Sequence, residues 1–213
     1  MRLQTIDKTK FEPTIENTYE VGNVEKFEFP TSLELDTPII KKIEKLVRGS
    51  YEYQEYIRFL KEEINLDRCL ILSGLSMDDV SIEMHHVALS LYDIAYTVLN
   101  KYIQRGEDFS IFNVADELMH LHYKGMVMLC PLSLTIHQAV HSGVVMIPYQ
   151  LAYGDLMGFY NEYKEYIPED LQNKLKEWIR VSNEIIEEYD VPIMARKYTY
   201  LQIQGVSLPK KIE

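Results

Sequence analysis

Apolar residues recur every three or four positions over several stretches of the chain, and this period predicts amphipathic helices. The first begins after Asp36-Thr37-Pro38, which supplies a capping residue and a proline for the first turn, and it ends at Gly49-Ser50. Further helices are predicted over residues 51–64, 89–103, 111–123, 132–141 and 169–188, and a tyrosine-rich helical stretch starts at residue 151.

Short apolar runs between these helices predict strands. Residues 69–72 and 80–87 are the clearest, and the turn between them predicts that they pair as a hairpin. Residues 126–129 predict another short strand, residues 198–206 look extended, and residues 1–35 read as an irregular arm. The expected fold class is α+β, with a small β-rich centre between helical flanks.

Composition narrows the class of protein. The chain has 213 residues, 46% of them hydrophobic and 26% charged, as in a soluble globular protein of one or two domains. No stretch approaches 18 uncharged apolar residues, and the first residues lack an apolar core, so neither a transmembrane helix nor a secretory signal is expected. Two cysteines cannot build a disulfide framework, which predicts a reducing, cytoplasmic location.

The chain is acidic. It has 33 Asp and Glu against 22 Lys and Arg, which gives a net charge of −11. This charge argues against a protein that coats nucleic acid electrostatically. Chemistry on a phosphate would therefore need a metal ion to supply positive charge.

The histidines are clustered, since all six lie between positions 85 and 141. His137 and His141 stand four residues apart on a predicted helix, where they can chelate one metal ion. Gln138 follows the first of them, where the zinc-protease helix has a glutamate as general base, so a protease of that type is not expected. The alternative is two ordinary surface or core histidines.

A second pair, His85-His86, follows Glu83 at the end of a predicted strand. Neighbouring residues on a strand face opposite sides, so both imidazoles could serve one site only where the strand ends or bulges. In that case one imidazole would bind a metal while the other accepted a proton from water. The alternative is a buried histidine next to an exposed one.

Together these segments resemble the ββα-metal core of the HNH nucleases. The second half of that motif is similar to residues 127–143, where Pro131, Leu132, His137, His141 and Gly143 fall in register. The family's zinc-knuckle cysteines are replaced by other residues, so the resemblance implies no structural zinc knuckle.

The Glu-x-His-His start is similar to the colicin-type members of the family. That resemblance implies that His85, His137 and His141 hold one divalent ion, that His86 is the general base, and that Glu83 orients a histidine. It implies a phosphodiesterase that cleaves nucleic acid, with DNA the expected substrate. Three imidazoles favour zinc or nickel on affinity, while magnesium and manganese stay open.

Two features depart from the family. The asparagine that gives the family the middle letter of its name is missing before the second strand of the motif. About 35 residues with two predicted helices separate the two strands of the motif. This insertion holds His120 and His122, for which core or helix-capping roles are expected. The implied organisation is an N-terminal arm with helices (1–66), an HNH-like core (67–147) with the helical insertion at about 89–123, and a C-terminal helical extension (148–213).

Local charge also counts against cleavage. Between residues 81 and 147 there are three basic and six acidic residues, a balance of −3, where a nuclease normally presents Lys or Arg. Three interpretations of the resemblance stay open: a nuclease with a narrow substrate, one that depends on a partner for DNA, or an HNH-like fold kept for structure.

The main alternative is a non-enzymatic interaction or assembly protein with a protein partner or as a homo-oligomer. Because HNH-like genes of this size are frequent in bacteriophages, the resemblance extends to a phage protein of the host cytoplasm or the virion. The third class is a helical binding module without metal.

Overall fold

A computed structural model describes residues 37–72 and 74–188, together with the backbone of 199–203 and 206–210. The predicted arm at residues 1–35 lies outside this part of the chain. The described helices are α1 (Thr37–Gly49), α2 (Tyr51–Glu62), α3 (Leu91–Arg105), α4 (Ile111–Tyr123), α5 (Leu134–His141), α6 (Leu156–Tyr163) and α7 (Glu169–Glu188). The described strands are β1 (Ile82–His86), β2 (Leu129–Ser133), β3 (Thr199–Ile203) and β4 (Val206–Lys210).

The first two helices form where the apolar period predicts them. Ser50 separates them and caps α2, because its hydroxyl accepts a hydrogen bond from the Tyr53 backbone N–H at 3.1 Å. The apolar stripe of α1 is fully buried and packs against α3 and α4. Tyr53 and Tyr56 of α2 are buried as well, and they line the region beneath the sheet described below.

Helices α3 and α4 each begin with a reciprocal capping box. Ser90 and Asp93 start α3, and Ser110 and Asn113 start α4, so the local sequence determines both beginnings. Gly106 ends α3 with a φ of 61°, in the left-handed region that favours glycine. The two helices were predicted within two residues of their observed bounds.

The β-rich centre differs from the prediction. Strand β1 pairs antiparallel with β2, with His85 opposite Cys130 and His86 opposite Leu129. The predicted hairpin of 69–72 with 80–87 is therefore wrong. Asp79 accepts hydrogen bonds from the backbone and hydroxyl of Ser76, at 3.0 and 2.9 Å, and holds the connection in a tight turn.

Residues 69–72 instead run alongside β2 without forming a strand. The Leu70 N–H donates to the Pro131 carbonyl at 2.8 Å. The apolar run predicted the strand at 126–129, whereas the observed strand begins three residues later and includes Pro131. Pro131 is tolerated here because the described sheet that contains it has only two strands.

The sheet is supported on the β2 edge away from β1. Leu129 and Tyr153 exchange two backbone hydrogen bonds of 2.8 Å each. The next residue, Gly154, has a φ of 131°, and a Cβ there would lie 2.5 Å from the Val127 carbonyl oxygen, so this close approach requires glycine.

One cluster of buried apolar side chains extends from Ile39 to Leu175. An ion pair of 2.7 Å between Lys174 and Asp93 ties α7 to the start of α3.

The α+β class is confirmed, whereas the division at residues 66 and 147 stays a prediction. Within the described ranges, the structure contains no helix with the length and apolar character needed to cross a membrane.

Candidate metal centre

Three histidines converge between the sheet and α5. His85 comes from β1, and His137 and His141 come from α5. One ring nitrogen from each lies within 4.8 Å of the others. Among the described residues, these three form a group that could hold a metal ion, and we call it the histidine cluster.

The chain path explains this convergence. Helix α5 begins at Leu134, directly after β2, so it folds back across the neighbouring strand β1. His85 faces α5, and its ring centroid lies 5.0 Å from that of His137 and 5.2 Å from that of His141. The spacing of four residues places the two helical rings 4.5 Å apart on one helix face.

A carboxylate orients one member of the cluster. Glu83 precedes His85 by two residues and shares its strand face, and the Nδ1–H of His137 donates to the Glu83 carboxylate. A carboxylate can only accept this bond, so in the neutral form of the His137 ring the proton sits on Nδ1. Its Nε2 therefore carries a lone pair and accepts a 2.9 Å hydrogen bond from Nε2 of His141.

The cluster is closed on one side and open on the other. His85 is buried, His137 is half-buried and His141 is exposed. Burial, followed by the nearby rings of His137 and His141, lowers the pKa of His85 to about 4. His85 is thus neutral at pH 7, the form in which an imidazole binds a metal.

His86 does not join the cluster. It lies on the opposite face of β1, where its ring stands edge-on to that of His122, with centroids 5.7 Å apart. His122 donates from Nδ1 to the Leu118 carbonyl at 2.7 Å, and the rings of Tyr53 and Tyr56 each lie 5.5 Å from it. We call His86 and His122 the buried histidine pair.

The buried histidine pair is also neutral, and burial is again the largest cause. Burial lowers the pKa of His86 well below its usual value, and burial lowers that of His122 to about 4. In the described part of the chain, the Nε2 atoms of both rings lack a hydrogen-bond partner. The expectation of a core position is met by His122, whereas His120 is exposed on the same helix.

The sequence pattern predicted one site of five residues, and the structure divides them. Glu83 joins the three predicted ligands, while His86 faces a partner that the sequence analysis did not assign to it. Strand alternation was the signal for this division, because it sends His85 and His86 to opposite faces. The apolar face of α4 already included His122, which pointed to its burial.

Comparison with protein families gives one result for almost the whole chain. Residues 2–206 match the model of the Bacteriophage G278-like virion protein family. No curated protein and no solved structure shows significant similarity to the chain.

This match corrects the resemblance to the HNH nucleases, which is wrong. It rested on a local spacing of a proline, a leucine, two histidines and a glycine, whereas the model of the virion family matches residues 2–206. The implied cleavage of nucleic acid, the base role of His86 and the catalytic role of Glu83 lose their basis with it. The expected phage origin is confirmed, and of the two locations left open for a phage protein the match supports the virion, because the chain belongs to the Bacteriophage G278-like virion protein family.

Proposed function

We propose that this virion protein is a non-enzymatic structural component, held in the phage particle by contacts with other virion proteins. Membership of a virion family supports this role over catalysis. The net charge of −11 favours protein neighbours over packaged nucleic acid, whose phosphates would repel the chain.

The pairing of the basic side chains in the central part of the sequence supports the same conclusion. Between residues 81 and 147 there are only three Lys or Arg residues. Each of them forms an ion pair with a glutamate, so none is left to bind phosphate without competition. The pairs are Lys101 with Glu117, Arg105 with Glu107 and Lys124 with Glu162.

The observation that carries the proposal is a group of exposed apolar side chains, which we call the apolar patch: Ile71, Leu72 and Leu134. They are 43%, 41% and 48% exposed. Their segments lie side by side, because Leu70 donates to the Pro131 carbonyl and Cys69 contacts the hydroxyl of Ser133 at 3.6 Å. Exposed apolar side chains on adjoining segments favour a protein interface.

The test is incorporation into particles. A phage that lacks the gene infects cells that supply wild-type protein, a Leu72→Glu/Leu134→Glu variant or a control variant, and the protein is quantified in gradient-purified particles. The control is Ile103→Glu/Met157→Glu, because these apolar residues are 41% and 50% exposed but lie on α3 and α6.

We expect the patch variant to be reduced at least tenfold in particles, because a buried glutamate at an interface costs more than about 1.4 kcal/mol. The control should be incorporated like wild type. Circular dichroism of each purified variant checks that it is folded. Normal incorporation of the folded patch variant, or equal loss of both variants, would contradict the proposal.

A further inference from the structure

The histidine cluster has the composition and the shape of a metal site. Its donors are three imidazole nitrogens, all within 4.8 Å of one another, from a strand and a helix that are separate in sequence. We propose that His85, His137 and His141 bind one zinc-like divalent transition-metal ion, with Glu83 as the outer carboxylate that positions His137. This inference rests on the cluster alone and does not depend on the proposed structural role.

The donor atoms select the class of metal. Imidazole nitrogen suits zinc, nickel, cobalt and copper, whereas magnesium and calcium prefer oxygen donors. The carboxylate of Glu83 is engaged by the Nδ1–H of His137 and lies outside the donor set. The cluster therefore favours a borderline transition metal over magnesium.

The hydrogen bonds of the metal-free cluster prepare it for a cation. Glu83 holds the His137 proton on Nδ1, which leaves the Nε2 lone pair directed at the other rings. The Nε2–H of His141 donates a hydrogen bond of 2.9 Å to that lone pair. When His141 carries its proton on Nδ1 instead of Nε2, the Nε2 atoms of both rings have free lone pairs, and a metal ion can take the place of the proton between them.

Exposure determines what completes the coordination shell. The exposed ring of His141 and the buried ring of His85 mark an open and a closed side of the cluster. Zinc with three protein ligands takes a fourth from solvent or from another molecule. In the isolated protein this ligand is water, on the side of His141.

The experiment uses the full chain without a polyhistidine tag. The protein is stripped with EDTA, incubated separately with Zn²⁺, Co²⁺ or Mg²⁺, desalted, and analysed for metal by mass spectrometry. Wild type should retain about one Zn²⁺ or Co²⁺ per chain and no Mg²⁺. Bound Co²⁺ should also give the intense visible absorption of a tetrahedral site.

Two variants separate the cluster from the other histidines. His141→Ala removes an exposed ligand and should lose both the retained Zn²⁺ and the Co²⁺ absorption. His120→Ala removes an exposed histidine of α4 outside the cluster and should behave like wild type. Thermal unfolding of each metal-free protein checks that the variants are folded.

Glu83→Gln tests the positioning residue. It should still bind one Zn²⁺ per chain, but with an affinity about 10- to 100-fold lower in competition with a chromophoric chelator. Wild type that retains no more Zn²⁺ than His141→Ala would overturn the metal site. Unchanged affinity in Glu83→Gln would overturn the role of Glu83.

Discussion

On one face of β1, the ring of His85 lies against those of His137 and His141, beside the carboxylate of Glu83. This group is open to solvent on the side of His141. On the other face, His86 meets His122 among tyrosine rings. Both groups bring imidazoles close together, yet the cluster contains the hydrogen bonds from His137 to Glu83 and between His141 and His137. In the buried pair the Nε2 atoms have no such partner within the described chain.

This difference separates two uses of the same side chain. In the buried pair, burial keeps the rings neutral, and their contribution comes from shape and edge-on packing. In the cluster, the lone pairs of the imidazole rings converge on a region that solvent can reach. The role of these rings depends on the ion or molecule that binds there. We therefore expect the buried pair to control folding and the cluster to control metal content.

The largest effect should come from His122→Ala. This fully buried ring packs against His86, Tyr53 and Tyr56, so its removal leaves a cavity. The free energy of unfolding, measured by urea denaturation, should fall by about 3 kcal/mol. His120→Ala on the same helix should change it by less than about 0.5 kcal/mol. Similar losses in the two variants would break the distinction between buried and exposed histidines.

Acid should weaken the buried pair through protonation. The pKa of His122 in the folded protein is about 4, below the value of about 6.5 expected in the unfolded chain. The unfolded state therefore binds the proton first, and the stabilisation present above pH 6.5 is lost as the pH falls towards 4. For His122 alone we expect a loss of about 1.5 kcal/mol between pH 6.5 and 5.

A comparison of wild type with His122→Phe in EDTA isolates this contribution. The groups that face His122 are Tyr53, Tyr56, His86 and the charge of Arg48, and all of them are retained in the variant. The stability difference between the two proteins should therefore shift by about 1.5 kcal/mol in favour of His122→Phe at the lower pH. Parallel pH profiles would show that His122 does not titrate on unfolding.

The smallest effect should come from His141→Ala in the metal-free protein. Its ring is exposed and its hydrogen bond to His137 is near solvent, so the free energy of unfolding should change by less than about 0.5 kcal/mol. The measurement is urea denaturation in EDTA. A loss as large as that of His122→Ala would mean that the cluster is part of the folding core, and the contrast between the two faces would fail.

The helices could be predicted because their signals are local. The apolar period is contained within each helix, and the bounds of α4 and α7 were predicted from it to the residue. The capping boxes of Ser90 with Asp93 and of Ser110 with Asn113 are equally local. Strand pairing is not local. The partner of β1 lies beyond two helices, and nothing near residue 82 indicates that 129–133 lies beside it.

The candidate site was predictable for the same reasons and within the same limits. The spacing of His137 and His141 and the shared strand face of Glu83 and His85 are local periodicities, and both are observed. The distance between these two groups depends on the strand pairing. The HNH interpretation failed because a motif of a few positions carries no information about the rest of the chain.

The pairing of β1 with β2 has a consequence for the order in which the chain folds. Glu83 and His137 are 54 residues apart, and α3 and α4 lie between them. His137 and His141 can approach as soon as one helical turn forms, but His85 reaches them only after this long loop has closed. The visible absorption of Co²⁺ recorded during refolding would therefore change late. It would report when β1 and β2, at the two ends of the segment that holds α3 and α4, come together.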